Sequence, residues 1–215
     1  NGVDQSLSIS PYYLKFASSN PAVATVNELG SVSTVGGGTT KITATLDTIK
    51  AKGSLTLNSA GNYIGAPAPT KDAGDVISVF SDKYTNVPVD YYNGYWQPFQ
   101  TTQSADFTVN GDHVLNYTNF NFVGTQISSP TINISSKAFL HLDIYLPGTL
   151  NNGAAFKIRV VDFGANGAPG GGDDVSDIVT YTAPTLKENS WVSLDIPFTS
   201  LPLLTTKEHI GQIIY

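Results

Sequence analysis

The sequence predicts an all-β chain folded as two unequal β-sandwiches, the second a jelly roll, and three observations point there. Short apolar runs with period-two alternation recur from end to end, and no helical periodicity competes with them. Turn formers divide those runs, with 20 Gly and 12 Pro among 215 residues. Charged residues make up 13%, against roughly 25% in an ordinary soluble domain, while Ser, Thr, Asn and aromatic residues are plentiful. That profile belongs to secreted or surface-displayed β proteins, and the length suits one large or two unequal domains.

The first domain is expected over residues 1–57, with strands near residues 7–10, 12–16, 23–26, 31–35, 41–46 and 53–57. Residues 58–75 hold Gly61, Gly65, Pro67, Pro69 and Gly74 without apolar periodicity and read as a linker, extended and semi-rigid through its Ala-Pro-Ala-Pro portion. The second domain is expected over residues 76–215, with strands near 76–80, 105–109, 113–123, 139–146, 155–162, 179–182 and 191–196. Residues 208–215 read as a strand entered and then cut off, so the natural chain is expected to run on to a closing strand.

Alternation sorts the faces of three strands. Leu140, Leu142, Ile144 and Leu146 oppose His141, Asp143 and Tyr145; Phe156, Ile158 and Val160 oppose Lys157 and Arg159; Val192, Leu194 and Ile196 oppose Trp191, Ser193 and Asp195. The apolar sets make the core and the other face is polar, aromatic and charged.

Composition also excludes. Without Cys there is no disulfide, thiolate metal site or cysteine nucleophile, and without Met the chain is expected to lie inside a longer precursor. No apolar run reaches the roughly 18 residues of a membrane span, so no membrane insertion is expected from this segment. The net charge is −6: the first 60 residues carry four Lys against three acids, and the rest seven Lys or Arg against fourteen acids. An acidic chain argues against nucleic acid or an anionic membrane as partner, since both require a basic patch.

Ser18-Ser19-Asn20-Pro21-Ala22-Val23-Ala24-Thr25-Val26, then Gly30, then Gly38-Thr39-Thr40-Lys41-Ile42-Thr43-Ala44, resembles the group 2 bacterial Ig-like domain. The resemblance covers roughly residues 10–57 and implies an Ig-like β-sandwich acting as a spacer on an extracellular protein. The front, residues 1–10, is shorter than that family would have.

The stretch Asp90-Tyr91-Tyr92-Asn93-Gly94-Tyr95-Trp96-Gln97-Pro98-Phe99 places five aromatic rings in nine positions around an Asn-Gly turn. Adjacent rings cannot all face one core, so at least one of each pair faces water or a ligand. Tyr and Trp offer a flat apolar face with a hydrogen-bonding edge, the surface on which a pyranose stacks. The alternative is a satellite core plugging one end of the sandwich. Of these rings, Trp96 is the expected exposed platform.

That loop, Val76-Ile77-Ser78-Val79-Phe80-Ser81-Asp82, Val160-Val161-Asp162-Phe163-Gly164 with Gly170-Gly171-Gly172-Asp173-Asp174, and Ser190-Trp191-Val192-Ser193-Leu194-Asp195 fall in a familiar order. Residues 66–215 are similar to the carbohydrate-binding jelly rolls that follow Ig-like domains in surface glycan-binding lipoproteins and multidomain glucanases of polysaccharide-degrading Gram-negative bacteria. The resemblance implies non-catalytic capture of a β-glucan, laminarin-like β-1,3-glucan the best guess. It also implies display on the outer membrane or secretion, a monomer, and a transporter or glucanase as partner. An accessory module of a secreted β-glucanase and a structural or adhesive fragment stand as alternatives.

On this reading Tyr92, Tyr95 and Trp96 supply stacking faces, and Gln97, Asp143 and Arg159 the hydrogen-bonding edges, if the loop folds over the polar sheet face. Asp143 and Arg159 are equally candidates for a cross-strand ion pair, and Trp191 is expected to pack against the sheet. Catalysis is not expected: Glu28, Glu188 and Glu208 form no facing carboxylate pair, and the Glu-x-Asp-x-x-Glu signature of laminarinases is absent. The His residues show no metal spacing. Related modules often carry one structural Ca²⁺, for which Asp82 or the loop from Gly170 to Asp177 offers hard oxygen ligands, with no metal as the open alternative.

Overall fold

A computed structural model describes residues 2, 6–61 and 63–215. Residues 1 and 3–5, at the front of the expected first domain, and residue 62, in the expected linker, lie outside that set. The chain is all-β and divides into two compact units, Asn1–Ile64 and Gly65–Tyr215. The division falls inside the segment 58–75 expected as linker.

The first unit contains β1 (Lys15–Ser18), β2 (Ala24–Val26), β3 (Val32–Thr34), β4 (Gly37–Leu46), β5 (Ile49–Lys50) and β6 (Leu55–Ala60). β4 is central, pairing with β1, β5 and β6, while β2 and β3 make a separate antiparallel pair. The Ser-Ser-Asn-Pro motif is a polar corner. Thr40, buried, shares a 2.8 Å hydrogen bond with Ser18 Oγ and accepts the Asn20 amide at 3.0 Å, and Asn20 Oδ1 accepts the Ala22 amide at 3.2 Å. This delivers Val23 and Ala24 into a small core with Ile42. Asn27 closes the next turn, its Oδ1 accepting the amides of Leu29 and Ser31, with Gly30 at φ +80°, a left-handed conformation that glycine adopts without strain.

Three sequence expectations need correction here. Residues 7–10 form no strand, the chain instead turning through a 3-10 helix at Pro11–Tyr13. β4 starts at Gly37 and not at Lys41, and β6 runs on to Ala60, its register with Gly37 to Ile42 drawing Asn58 to Ala60 out of the linker. β5 was not expected.

The second unit contains β7 (Gln103–Val109), β8 (Asp112–Thr118), β9 (Gly124–Gln126), β10 (Phe139–Tyr145), β11 (Ala155–Asp162), β12 (Val175–Thr182), β13 (Trp191–Pro197) and β14 (Ile210–Ile214). A sheet of order β12-β11-β14-β9 and the pair β10-β13 sandwich a core that includes Ile158, Val160, Leu194, Ile196, Ile210 and Ile213, each no more than 4% exposed. β7 and β8 form a hairpin of their own. The segment 76–80 is not a strand but a single bridge, Ser78 to Asn86. The expected strand 113–123 is cut short: β8 ends at Thr118, residues 119–123 form no strand, and β9 starts beyond them at Gly124, in the large sheet. β14 lies between β11 and β9, hydrogen-bonded on both sides, so the fragment-like tail is an interior strand.

Two details fix the large sheet. Phe163, 1% exposed, lies over Gly211, where a Cβ would come 2.1 Å from the ring, so only glycine fits. Asp162, fully buried at the β11 bulge, accepts the amides of Gly164 (2.8 Å) and His209 (2.9 Å) and the Thr206 hydroxyl (3.0 Å). A buried carboxylate is tolerated when its lone pairs are met in this way.

Candidate functional site

The outward face of the β12-β11-β14-β9 sheet follows from its register. Directly paired residues share a face, and Thr125, Ile213 and Val160, successive partners across three strands, are all buried in the core. Their neighbours therefore point out: Gly124, Ile214, Arg159 and Ile178 in one row, and Gln126, Gln212, Val161 and Ser176 in the next. Lys157 and Thr180 continue the same face.

The aromatic loop covers one end of this face. Trp96 sits on Gly124, where a Cβ would stand 2.2 Å from the indole, and Gly94 is equally necessary, since a Cβ there would meet the Trp96 ring nitrogen at 2.4 Å. Tyr91 bridges to Gln126 and extends the second row. A hydrogen-bond relay then crosses the face: Trp96 Nε1 donates to the Tyr91 hydroxyl (3.3 Å), Tyr91 donates to Gln126 Oε1 (3.0 Å), and Gln212 Nε2 donates to the same oxygen (2.7 Å). Gln126 Nε2 and Gln212 Oε1 are left without a partner among the described residues. They are not buried, since no buried side-chain polar atom among those residues lacks one. The face thus presents an open donor and an open acceptor beside an aromatic edge.

The loop is held in place by buried amides. Gln100, 3% exposed, accepts the Trp96 amide at 3.1 Å and donates to Asn93 Oδ1 and, at 3.2 Å, to the Thr102 carbonyl; Asn93 Oδ1 accepts the Tyr95 amide at 3.0 Å. Asn121 accepts the Thr101 amide and donates to the Phe99 carbonyl, both at 2.9 Å. At the loop entrance Asp90 Oδ2 accepts the hydroxyl and the amide of Ser128, each at 2.6 Å, and these bonds hold its carboxyl below the usual range. A loop fixed by its own hydrogen bonds loses little conformational entropy when a ligand arrives.

Of the residues expected from sequence, the structure brings Trp96 and Arg159 to one face, at opposite ends of the row Gly124, Ile214, Arg159. Trp96 is half-buried on Gly124 and Phe122, not the fully exposed platform anticipated; the exposed rings of the loop are Tyr95, at 47%, and Phe99, at 76%. Tyr92 and Tyr95 turn towards the β7-β8 hairpin. The Tyr92 hydroxyl donates to the Val79 carbonyl (2.8 Å), its ring meets Phe80 edge-on, and Tyr95 shares a 2.8 Å hydrogen bond with Ser104. Burial raises the Tyr92 phenol. Gln97 is exposed and its amide donates back to the Gln100 carbonyl at 3.4 Å, tying the loop.

Asp143 does not join the site. It lies on β10, in the other sheet from Arg159, so the anticipated ion pair does not form; its oxygens take the Ser193 hydroxyl and His141 Nε2, the latter at 3.4 Å. Trp191 packs beside Tyr145, ring centroids 5.5 Å apart. Sequence reasoning missed Tyr91, Gln126, Gln212 and Gly124. Gln126 and Gln212 carry no signal as single residues, since only the pairing of β9 with β14 makes them neighbours.

The carboxylates considered for Ca²⁺ do not gather. Asp82 Oδ2 accepts the His113 amide at 2.7 Å, a bond that holds its carboxyl below the usual range, and stands 3.2 Å from His113 Nδ1. In the glycine-rich loop, Asp173 accepts from Asn166, Asp174 from the Gly170 amide, and Asp177 from the Ile178 and Leu203 amides. Asp173 and Asp174 close the loop, while Asp82 and Asp177, the latter already on β12, hold amides 31 and 26 positions away. Among the described residues no group of three or more His, Asp or Glu side chains gathers around one point.

The first unit is an Ig-like β-sandwich: residues 13–57 match the family described as bacterial Ig-like domain (group 2). No curated protein and no solved structure matches the chain. Among the described residues no helix is long and apolar enough to cross a membrane.

Proposed function

We propose that the second unit captures a polysaccharide, without cleaving it, on the outward face of the β12-β11-β14-β9 sheet, and that the Ig-like unit serves as its spacer. The observation that carries the reading is the relay from Trp96 through Tyr91 and Gln126 to Gln212, which leaves one amide donor and one amide acceptor open beside an indole edge. Sugar recognition needs an apolar face for the C–H side of the ring and fixed hydrogen bonds for the hydroxyls. The row from Gly124 to Arg159 spans two strand spacings, about 10 Å, and so offers room for a run of pyranose rings rather than a single one.

A β-glucan of the laminarin type is the substrate class we put first. The protein then works at the bacterial surface or outside the cell, concentrating glycan for an outer-membrane transporter or a glucanase, whether as a lipoprotein or as a module of an enzyme. Affinity electrophoresis and calorimetry against laminarin, mixed-linkage glucan, cellulose, xylan and mannan test this, with Trp96→Ala alongside. The expected result is binding to a polysaccharide that falls about 30-fold or more in the variant, the cost of removing an aromatic anchor being about 2 kcal/mol. Retention of no glycan by the unaltered protein would sink the proposal, and release of reducing sugar on prolonged incubation would refute its non-catalytic part.

A further inference from the structure

The far end of the same face carries a feature that capture of a neutral glucan does not require. Arg159 is exposed and makes no hydrogen bond or ion pair among the described residues, and Lys157 stands two residues along β11 with its side chain on the same side. The outward positions of the sheet, Gly124, Gln126, Ile214, Gln212, Lys157, Arg159, Val161, Ser176, Ile178 and Thr180, include no carboxylate. This occurs in a unit whose part of the sequence is strongly acidic, the residues from 61 onward carrying seven Lys or Arg against fourteen acids. On the opposite sheet the outward positions behave otherwise, with His141 set between Asp143 and Asp195.

We propose that this end of the face is a subsite for an anionic substituent on the glycan, the carboxylate of a uronic acid or a sulfate ester, held by Arg159 and assisted by Lys157. The inference rests on the glycan-binding reading and revises its ligand, setting an acidic polysaccharide ahead of neutral laminarin. A guanidinium offers five donors and no acceptor in a fork that matches a carboxylate or sulfate edge. With no neighbouring acid to satisfy it, its natural partner is an anion brought by the ligand. Trp96 over Gly124 then stacks a ring at one end of the row, Ile214 gives an apolar floor, and the charge is read at the other end. Two cations about 7 Å apart along one strand make a local positive field on a negative protein, which steers an acidic polymer to this face and away from the rest.

The test is affinity electrophoresis and calorimetry of the whole chain on neutral laminarin, on a carboxylated polyuronate and on a sulfated galactan, at low and high salt. Arg159→Ala, Arg159→Lys, Lys157→Ala and Trp96→Ala are run alongside. One of the anionic polymers should bind about tenfold or more tightly than laminarin at low salt, and the choice between them identifies the acid. Arg159→Ala should abolish that preference, weakening the favoured anionic polymer about tenfold more than it weakens laminarin; Arg159→Lys should keep part of it, because charge remains but the fork is lost; Trp96→Ala should weaken all polymers. Laminarin bound as well as either anionic polymer, or Arg159→Ala weakening neutral and anionic glycans alike, overturns the subsite and leaves glycan capture standing. No binding of any polymer by the unaltered chain overturns both.

Discussion

The two outward faces of the second unit are built from the same strand grammar and put it to opposite uses. On the β10-β13 face, His141, Asp143, Ser193 and Asp195 close on one another: His141 Nδ1 lies 2.7 Å from Asp195, its Nε2 3.4 Å from Asp143, and Ser193 donates to Asp143. On the β12-β11-β14-β9 face the amides are also linked, but the chain of bonds stops short and leaves Gln126 Nε2, Gln212 Oε1 and the Arg159 guanidinium open. The first arrangement is complete without a ligand. The second is positioned by the fold but leaves polar groups open, which is the arrangement the proposed glycan capture requires.

The comparison breaks most sharply at Gly124. Replacing it with Val drives a side chain into the space the indole occupies, 2.2 Å from its ring at the Cβ alone, so Trp96 must leave the face. The position points away from the core, and Val is a favourable strand residue. Glycan affinity should therefore fall about 30-fold or more, and the unfolding midpoint should drop as well, because the half-buried indole loses its packing on Phe122, both read by calorimetry on the same preparation. Full affinity in Gly124→Val would remove the indole from the site.

A smaller effect is expected within the relay. Gln126→Ala removes an open donor together with the acceptor that fixes Tyr91 and Gln212, and Gln212→Ala removes the open acceptor. At about 0.5–1.5 kcal/mol per hydrogen bond, each should weaken binding about 2–12-fold. Because the two side chains share one bond, the double variant should lose less than the product of the single losses. Strict additivity would show that the amides act separately.

How far the sequence could lead here is clear from particular residues. The first unit was legible through its family motif, while the corner that motif builds was not, since Ser18 and Asn20 reach Thr40 from 22 and 20 positions away. The core sets on β10, β11 and β13 were legible because alternation alone determines which side is buried. The end of β8 at Thr118 was not, because residues 113–123 are continuous in pattern and only tertiary pairing sends Gly124 to β14. Trp96 and Arg159, singled out by chemical type, share a face, whereas Asp143 was put in their company because alternation says which side of its own sheet a residue faces but not which sheet it belongs to. Gln126 and Gln212 lie 86 positions apart and meet only through a register that no local signal carries.

The β10-β13 face supplies the smallest prediction and the control for the others. Burial pulls the His141 imidazole down, but the hydrogen bond to Asp195 and the charge of Asp143 outweigh it, so its folded value lies above the ordinary one. A raised folded value means that the protonated form is favoured by folding. The stabilisation is complete below the unfolded value of about 6.5 and fades as pH rises through the folded value. Because His141 and Asp195 are more than half exposed, at 54% and 71%, screening by water and salt keeps the effect below about 1 kcal/mol. Urea unfolding at about pH 5.5 and about pH 8 should show the unaltered protein gaining stability on the acid side relative to Asp195→Asn, and high salt should shrink the gain. Glycan affinity should be the same in both proteins, since this face is complete on its own. An Asp195→Asn variant that binds glycan more weakly would mean that the two faces are not independent, and that the ligand reaches the side of the sandwich where Asp143 stands.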